Sequence, residues 1–63
     1  MTLREYLLEN PYSNIALMWF DEKQRLQCKE YGLNDYNKIE EKFLQMEFMD
    51  CNEEYDCKEI WIR

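Results

Sequence analysis

A chain of 63 residues with 8 basic and 14 acidic side chains carries a net charge of −6 and fits one domain, 1–63. It lacks the basic face that phosphate recognition needs, which disfavours direct binding of DNA or RNA. A domain this small buries only about 60% of its unfolded surface. Its core is therefore thin, and a catalytic cleft is hard to fit.

Hydrophobic residues make up 46% of the chain and aromatics 16%, with single copies of Gly and Pro, so it reads as a folded domain and not a disordered tail. No apolar run approaches the roughly 20 residues of a membrane span and no targeting segment is visible, which gives a complete, cytoplasmic protein without a membrane partner as the expectation. With no His and one Gly there is neither an imidazole base nor a glycine-rich phosphate loop. Adjacent carboxylates such as Glu40 with Glu41 or Glu53 with Glu54 read as solvated charge, not as tuned acids. The expectation is a non-enzymatic chain with no catalytic residues, no metal and no cofactor.

Thr2 and Glu5 have capping-box spacing, and Leu3, Tyr6 and Leu7 then share one side of a short helix ending at Asn10-Pro11. After the turn 11–14, Ile15 to Phe20 is an apolar run of strand length, followed by polar Asp21 to Gln24 and an alternating run from Arg25 to Tyr31. That is a hairpin. With Glu22 and Lys23 at the tip, Trp19 faces Leu26 and Leu17 faces Cys28, so Ile15, Leu17, Trp19, Leu26 and Cys28 share a face. Gly32 to Asp35 breaks the strand, and Tyr36, Ile39 and Phe43 have the spacing of a second short helix capped by Asn34 or Asp35. From Leu44 the period becomes two, through Met46 and Phe48, and it returns at Ile60 and Ile62. The fold class is α+β: a small, mostly antiparallel sheet of about four strands in two hairpins, with one or two short helices. Leu7, Leu17, Trp19, Phe43, Phe48 and Ile60 fall inward and form the expected core.

The stretch Asp50 to Cys57, DCNEEYDC, admits three readings: metal clip, disulfide or hairpin tip. Keeping positions 44, 46, 48, 60 and 62 on one face, and avoiding Glu47 opposite Glu59, pairs Phe48 with Ile60, Met46 with Ile62 and Asp50 with Lys58. Cys51 then stands opposite Cys57, with Asn52 to Asp56 as the loop. Opposed Cβ atoms lie about 4.5–5.5 Å apart against about 3.5–4.5 Å in a relaxed disulfide, so a bond is possible but strained. Zinc would need two more ligands that nothing in the spacing supplies. The plain alternative is two small, semi-apolar side chains at a hairpin mouth.

Two features exceed an ordinary solvated surface. Ala16, Met18 and Phe20 make the second face of the first strand apolar, which suggests a contact surface, a homodimer included, unless the two helices lie on opposite faces. Asp50, Glu53, Glu54, Asp56 and Glu59 crowd the second hairpin and are the candidate partner-binding acids.

The start Thr2-Leu3-Arg4-Glu5-Tyr6-Leu7, the loop Tyr31-Gly32-Leu33-Asn34-Asp35-Tyr36 and the closing Ile60-Trp61-Ile62 resemble a group of small uncharacterised acidic proteins of bacterial mobile elements and phages. Chains of that group begin T-[V/L]-R-E-[F/Y]-[L/I]; the cysteine pair is not a feature of the group. In size and acidity the chain is also similar to phage anti-CRISPRs, which as a class block nucleic-acid-binding surfaces of host nucleases. The resemblance implies an inhibitor in the bacterial cytoplasm whose partner is a protein or nuclease complex with a basic surface. The alternative is a structural or accessory protein that homodimerises through a sheet face.

Overall fold

In the computed structural model, which describes residues 1–10 and 12–63, the Glu5 amide donates to the Thr2 hydroxyl at 3.2 Å and the Thr2 amide donates to the Glu5 carboxylate at 2.9 Å. This reciprocal cap satisfies donors that a helix start leaves orphaned, and α1 runs from it over Leu3–Glu9. The Asn10 amide closes the helix on the Tyr6 carbonyl at 3.0 Å. The turn expected next starts at Pro11, outside the described residues. Ahead of the helix, the Leu3 amide donates to the Met46 carbonyl and the Phe48 amide to the Met1 carbonyl, each at 2.8 Å, so the N-terminus lies as a short rung against residues 46–48.

Four strands follow: β1 Asn14–Phe20, β2 Leu26–Tyr31, β3 Phe48–Glu54 and β4 Cys57–Ile62. They form one sheet in the order β2-β1-β4-β3, with antiparallel β1–β2 and β3–β4 hairpins and a parallel join of β1 to β4. The α+β class and the two hairpins hold. β1 and β4 carry the apolar runs and take the centre, where both faces lie among neighbours. β2 and β3 carry Lys29, Glu30, Asp50, Glu53 and Glu54 and take the edges, where charge discourages further pairing.

The register of the first hairpin differs from expectation. Trp19 stands opposite Gln27, Met18 opposite Cys28 and Leu17 opposite Lys29. The cause is the turn: the Asp21 amide donates to the Arg25 carbonyl and the Gln24 amide to the Asp21 carbonyl, each at 2.9 Å, with Gln24 left-handed at φ 62°. Glu22, Lys23 and Gln24 thus form a three-residue tip, and the one-residue slip moves Leu26 and Cys28 to the opposite face from Ile15, Leu17 and Trp19.

The expected second helix is divided. A 3₁₀ turn, Tyr36–Lys38, ends at an extended Ile39, and α2 spans Glu41–Leu44, so Leu44 is helical and β3 starts only at Phe48. The break keeps Ile39 and Phe43 both buried.

The second hairpin also differs. Cys51 pairs with Ile60, Asp50 with Trp61, Glu53 with Lys58 and Glu54 with Cys57, and the loop shrinks to the turn Tyr55-Asp56. Phe48 pairs with Ile62 and not with the expected Ile60, so the expected Met46–Ile62 and Asp50–Lys58 pairs fail as well, and Met49 is an extra residue bulged out between this register and that of the tip. Parity over the whole hairpin therefore could not fix its tip.

One cluster fills the inner side of the sheet: Leu3, Ile15, Leu17, Tyr31, Ile39, Phe43, Ile60 and Ile62 are buried, with Tyr6, Leu7, Trp19 and Phe48 packed against them. Of the six expected core residues, Leu17, Phe43 and Ile60 are buried in it, and Leu7, Trp19 and Phe48 pack half-buried against it. Trp19 tilts against Phe43 with centroids 4.6 Å apart, and Tyr6 stacks on Phe48 at 4.1 Å. Burial, and then the neighbouring Cys51 side chain, push the Tyr6 phenol up to about 12.

Candidate functional site

Both helices cover the inner side. Leu3 of α1 and Phe43 of α2 join the same buried cluster as Leu17 and Ile60, and Arg4 of α1 pairs with Glu41 of α2 across the top of that layer. Among the described residues no helix lies on the other side of the sheet. Strand alternation puts Ala16, Met18 and Phe20 there, and the registers set around them Leu26, Cys28 and Glu30 of β2, Cys57, Glu59 and Trp61 of β4, and Asp50, Asn52 and Glu54 of β3.

This outer face has two tiers. At the end nearer the β1–β2 turn lie Phe20 and Leu26, 57% and 50% exposed, with Met18 between Cys28 and Trp61 in the next row. The Phe20 and Trp61 rings are 6.2 Å apart. Nearer the β3–β4 turn, Ala16 stands between Glu30 on one neighbouring strand and Glu59 on the other, with Cys57 and Glu54 below. The Trp61 indole donates to the Glu59 carboxylate at 2.9 Å and fixes that acid between the tiers. Desolvation, then the carboxylates of Glu30, Glu54 and Glu59 together with Cys28, push the Cys57 thiol up from its ordinary value. Such a thiol is a poor nucleophile.

The charges are sorted by side. On the helix side Lys29 and Lys42 reach Glu40, Lys58 reaches Glu53 and Arg4 reaches Glu41. Among the described residues of the four strands the outer face bears Glu30, Asp50, Glu54 and Glu59 and no Lys or Arg. Of the expected binding acids, the fold thus brings Asp50, Glu54 and Glu59 onto the face of Ala16, Met18 and Phe20. It separates Glu53, which turns inward to Lys58 at 3.8 Å, and leaves Asp56 exposed in the turn. Two patches that look independent in the sequence are largely one surface.

The cysteines do not meet. Cys51 lies on the core side opposite Ile60 and Cys57 on the outer side opposite Glu54, so the expected direct opposition fails, and all three thiols are free. Among the described residues no three Cys, Asp or Glu side chains gather as metal ligands, and no helix is long and apolar enough to cross a membrane.

Sequence reasoning missed Glu30, Leu26 and Trp61 as parts of this face. Trp61 was legible, since it alternates with Ile60 and Ile62 and so points away from the core. Glu30 and Leu26 required the register of the β1–β2 turn. The chain matches no known family model, no curated protein and no solved structure.

Proposed function

We propose that this chain is a non-enzymatic, acidic interaction protein of a phage or mobile element. It acts in the bacterial cytoplasm as an anti-defence inhibitor of the anti-CRISPR kind, occupying a basic nucleic-acid-binding surface on a host nuclease complex. The observation that supports this reading is the uncovered sheet face, where four carboxylates surround an apolar centre and, among the described residues, none of them is paired with a cation; Arg63 at the end of β4 is held by Glu47. Carboxylates so held accept Arg forks and steer a basic partner inward, chiefly by raising the on-rate. The alternative of a sheet-mediated homodimer draws on the same apolar centre, but it brings the four acids of one copy against those of another.

The test is capture of nucleases from a bacterial lysate by the immobilised chain at low salt, with competition by DNA. Capture should weaken as salt approaches ~0.5 M, where the screening length is a few ångströms. Asp50→Lys with Glu54→Lys should abolish it in a folded protein, since both side chains are exposed. Capture that ignores salt and both substitutions would remove the electrostatic reading.

A further inference from the structure

Resting on the interaction-protein reading, we infer that the outer sheet face docks one cationic amphipathic α-helix of a partner protein. Its apolar side chains lie on Phe20, Leu26, Met18 and Trp61, and its Lys or Arg side chains flank Ala16 and meet Glu30 and Glu59.

The first ground is cover. α1 and α2 both pack on the inner side, so an α+β sheet with large apolar side chains on its second face is left one layer short. The second ground is spacing. Rows of outward side chains on a strand repeat about every 6.6–6.8 Å, close to the roughly 5–6 Å between i and i+4 neighbours on a helix. A helix along β1 therefore sets one turn on the apolar row and the next on the acidic row. Glu30 and Glu59 stand on the strands either side of β1, about 9.5 Å apart by the strand spacing. A helix with its side chains is about 10–12 Å across, so a cationic side chain on each flank reaches one carboxylate while its stem covers Ala16.

The third ground is charge. The strands present Glu30, Asp50, Glu54 and Glu59 on this face, and among the described residues none of the four is paired with a cation; Arg63, one residue past β4 on the same side, is held by Glu47. The excess of negative charge opposes a second copy, repels nucleic acid and selects a basic occupant. An extended partner strand would add at the β2 or β3 edge and leave Phe20 and Trp61 uncovered, so it does not answer the same face.

The probe is a synthetic Leu/Lys helix of about 16 residues with one apolar stripe flanked by Lys, set against a peptide of the same composition scrambled to have no stripe. Titrated into the isotope-labelled full chain, the first should shift the Trp61 indole and the amides of Ala16, Met18 and Glu59, and bind at least tenfold tighter than the second. Phe20→Asp and Glu30→Lys, both at exposed positions, should each weaken it about tenfold with the dispersed spectrum of the folded chain retained. Three results would each overturn the proposal: shifts confined to the helix side or to the β2 or β3 edge, equal binding of the scrambled peptide, or a free chain that sediments as a dimer broken by Phe20→Asp. If the peptide misses this face while Asp50→Lys with Glu54→Lys still abolishes nuclease capture, the helix occupant fails and the inhibitor reading stands. If the peptide binds here and no nuclease is captured, the docking site stands and the inhibitor reading fails.

Discussion

The Asp21 carboxylate accepts the Lys23 and Arg25 amides through one oxygen, at 2.8 and 2.9 Å, and the Arg25 and Gln27 side chains through the other, at 3.0 Å each. The bond from the Arg25 amide is the first cause holding its pKa below the ordinary 3.8. Because the folded value is depressed, its stabilisation is complete above pH 3.8 and is lost as pH falls through the folded value. Asp21→Asn should therefore lower the melting temperature at pH 7, and the gap to wild type should close in acid; a gap that persists at low pH would show another cause. Tyr31 presents the opposite case. It is 7% exposed, and its hydroxyl finds no hydrogen-bond partner among the described residues. Tyr31→Phe removes a desolvated donor while keeping the ring, so unfolding in urea should show a gain of about 1 kcal/mol.

At the scale of the elements, the β3–β4 hairpin turns on Tyr55, which is left-handed at φ 38° and fully exposed. Its ring covers nothing, and an L side chain in that region costs roughly 1–2 kcal/mol, part of which Gly recovers. Tyr55→Gly should raise the melting temperature by a few degrees in calorimetry. The Met49 bulge above this turn sets the fate of the thiols, because it places Cys51 and Cys57 on opposite sides of the sheet. A disulfide needs Cβ atoms about 3.5–4.5 Å apart on converging bonds. Mild oxidation of the native chain should leave its mass without an intramolecular bridge, and reductant should leave its melting temperature unchanged. A native bridge between Cys51 and Cys57 would refute the bulged register.

For the molecule as a whole, the core is one layer deep between a sheet and two short helices. Leu3, Ile15, Leu17 and Ile60 are its fully buried side chains. Leu17→Ala should cost about 2–5 kcal/mol, against the roughly 3–5 kcal/mol that a core of this size supplies. Such a variant should lose its cooperative thermal transition. Trp19→Ala, removing a half-buried ring tilted on Phe43, should cost about 3 kcal/mol and leave a weak, low-temperature transition. An unchanged transition in either would disprove the layer assignment. The thin core also makes the uncovered face economical to keep: Phe20, Leu26 and the acids around them are not needed to close the cluster.

Local patterns in the sequence carried much of the fold, because they act between neighbours in the chain. The Thr2–Glu5 cap, the apolar run of β1, the two hairpins and the inward set of Leu7, Leu17, Trp19, Phe43, Phe48 and Ile60 follow from spacing alone. The acidity of the second hairpin and the outward apolar set of Ala16, Met18 and Phe20 were legible for the same reason. The registers were not. One carboxylate in the first turn and one bulged residue in β3 each change the count by a single position, and with a period of two that exchanges the faces of whole strands. The helix break at Ile39 and the parallel join of β1 to β4 also depend on partners distant in the chain. The sequence by itself determined which residues are apolar, which are acidic and how they alternate. Only the tertiary structure decided that Glu30, Asp50, Glu54 and Glu59 share a face with Phe20 and Trp61, because that placement is a relation between strands and no single strand encodes it.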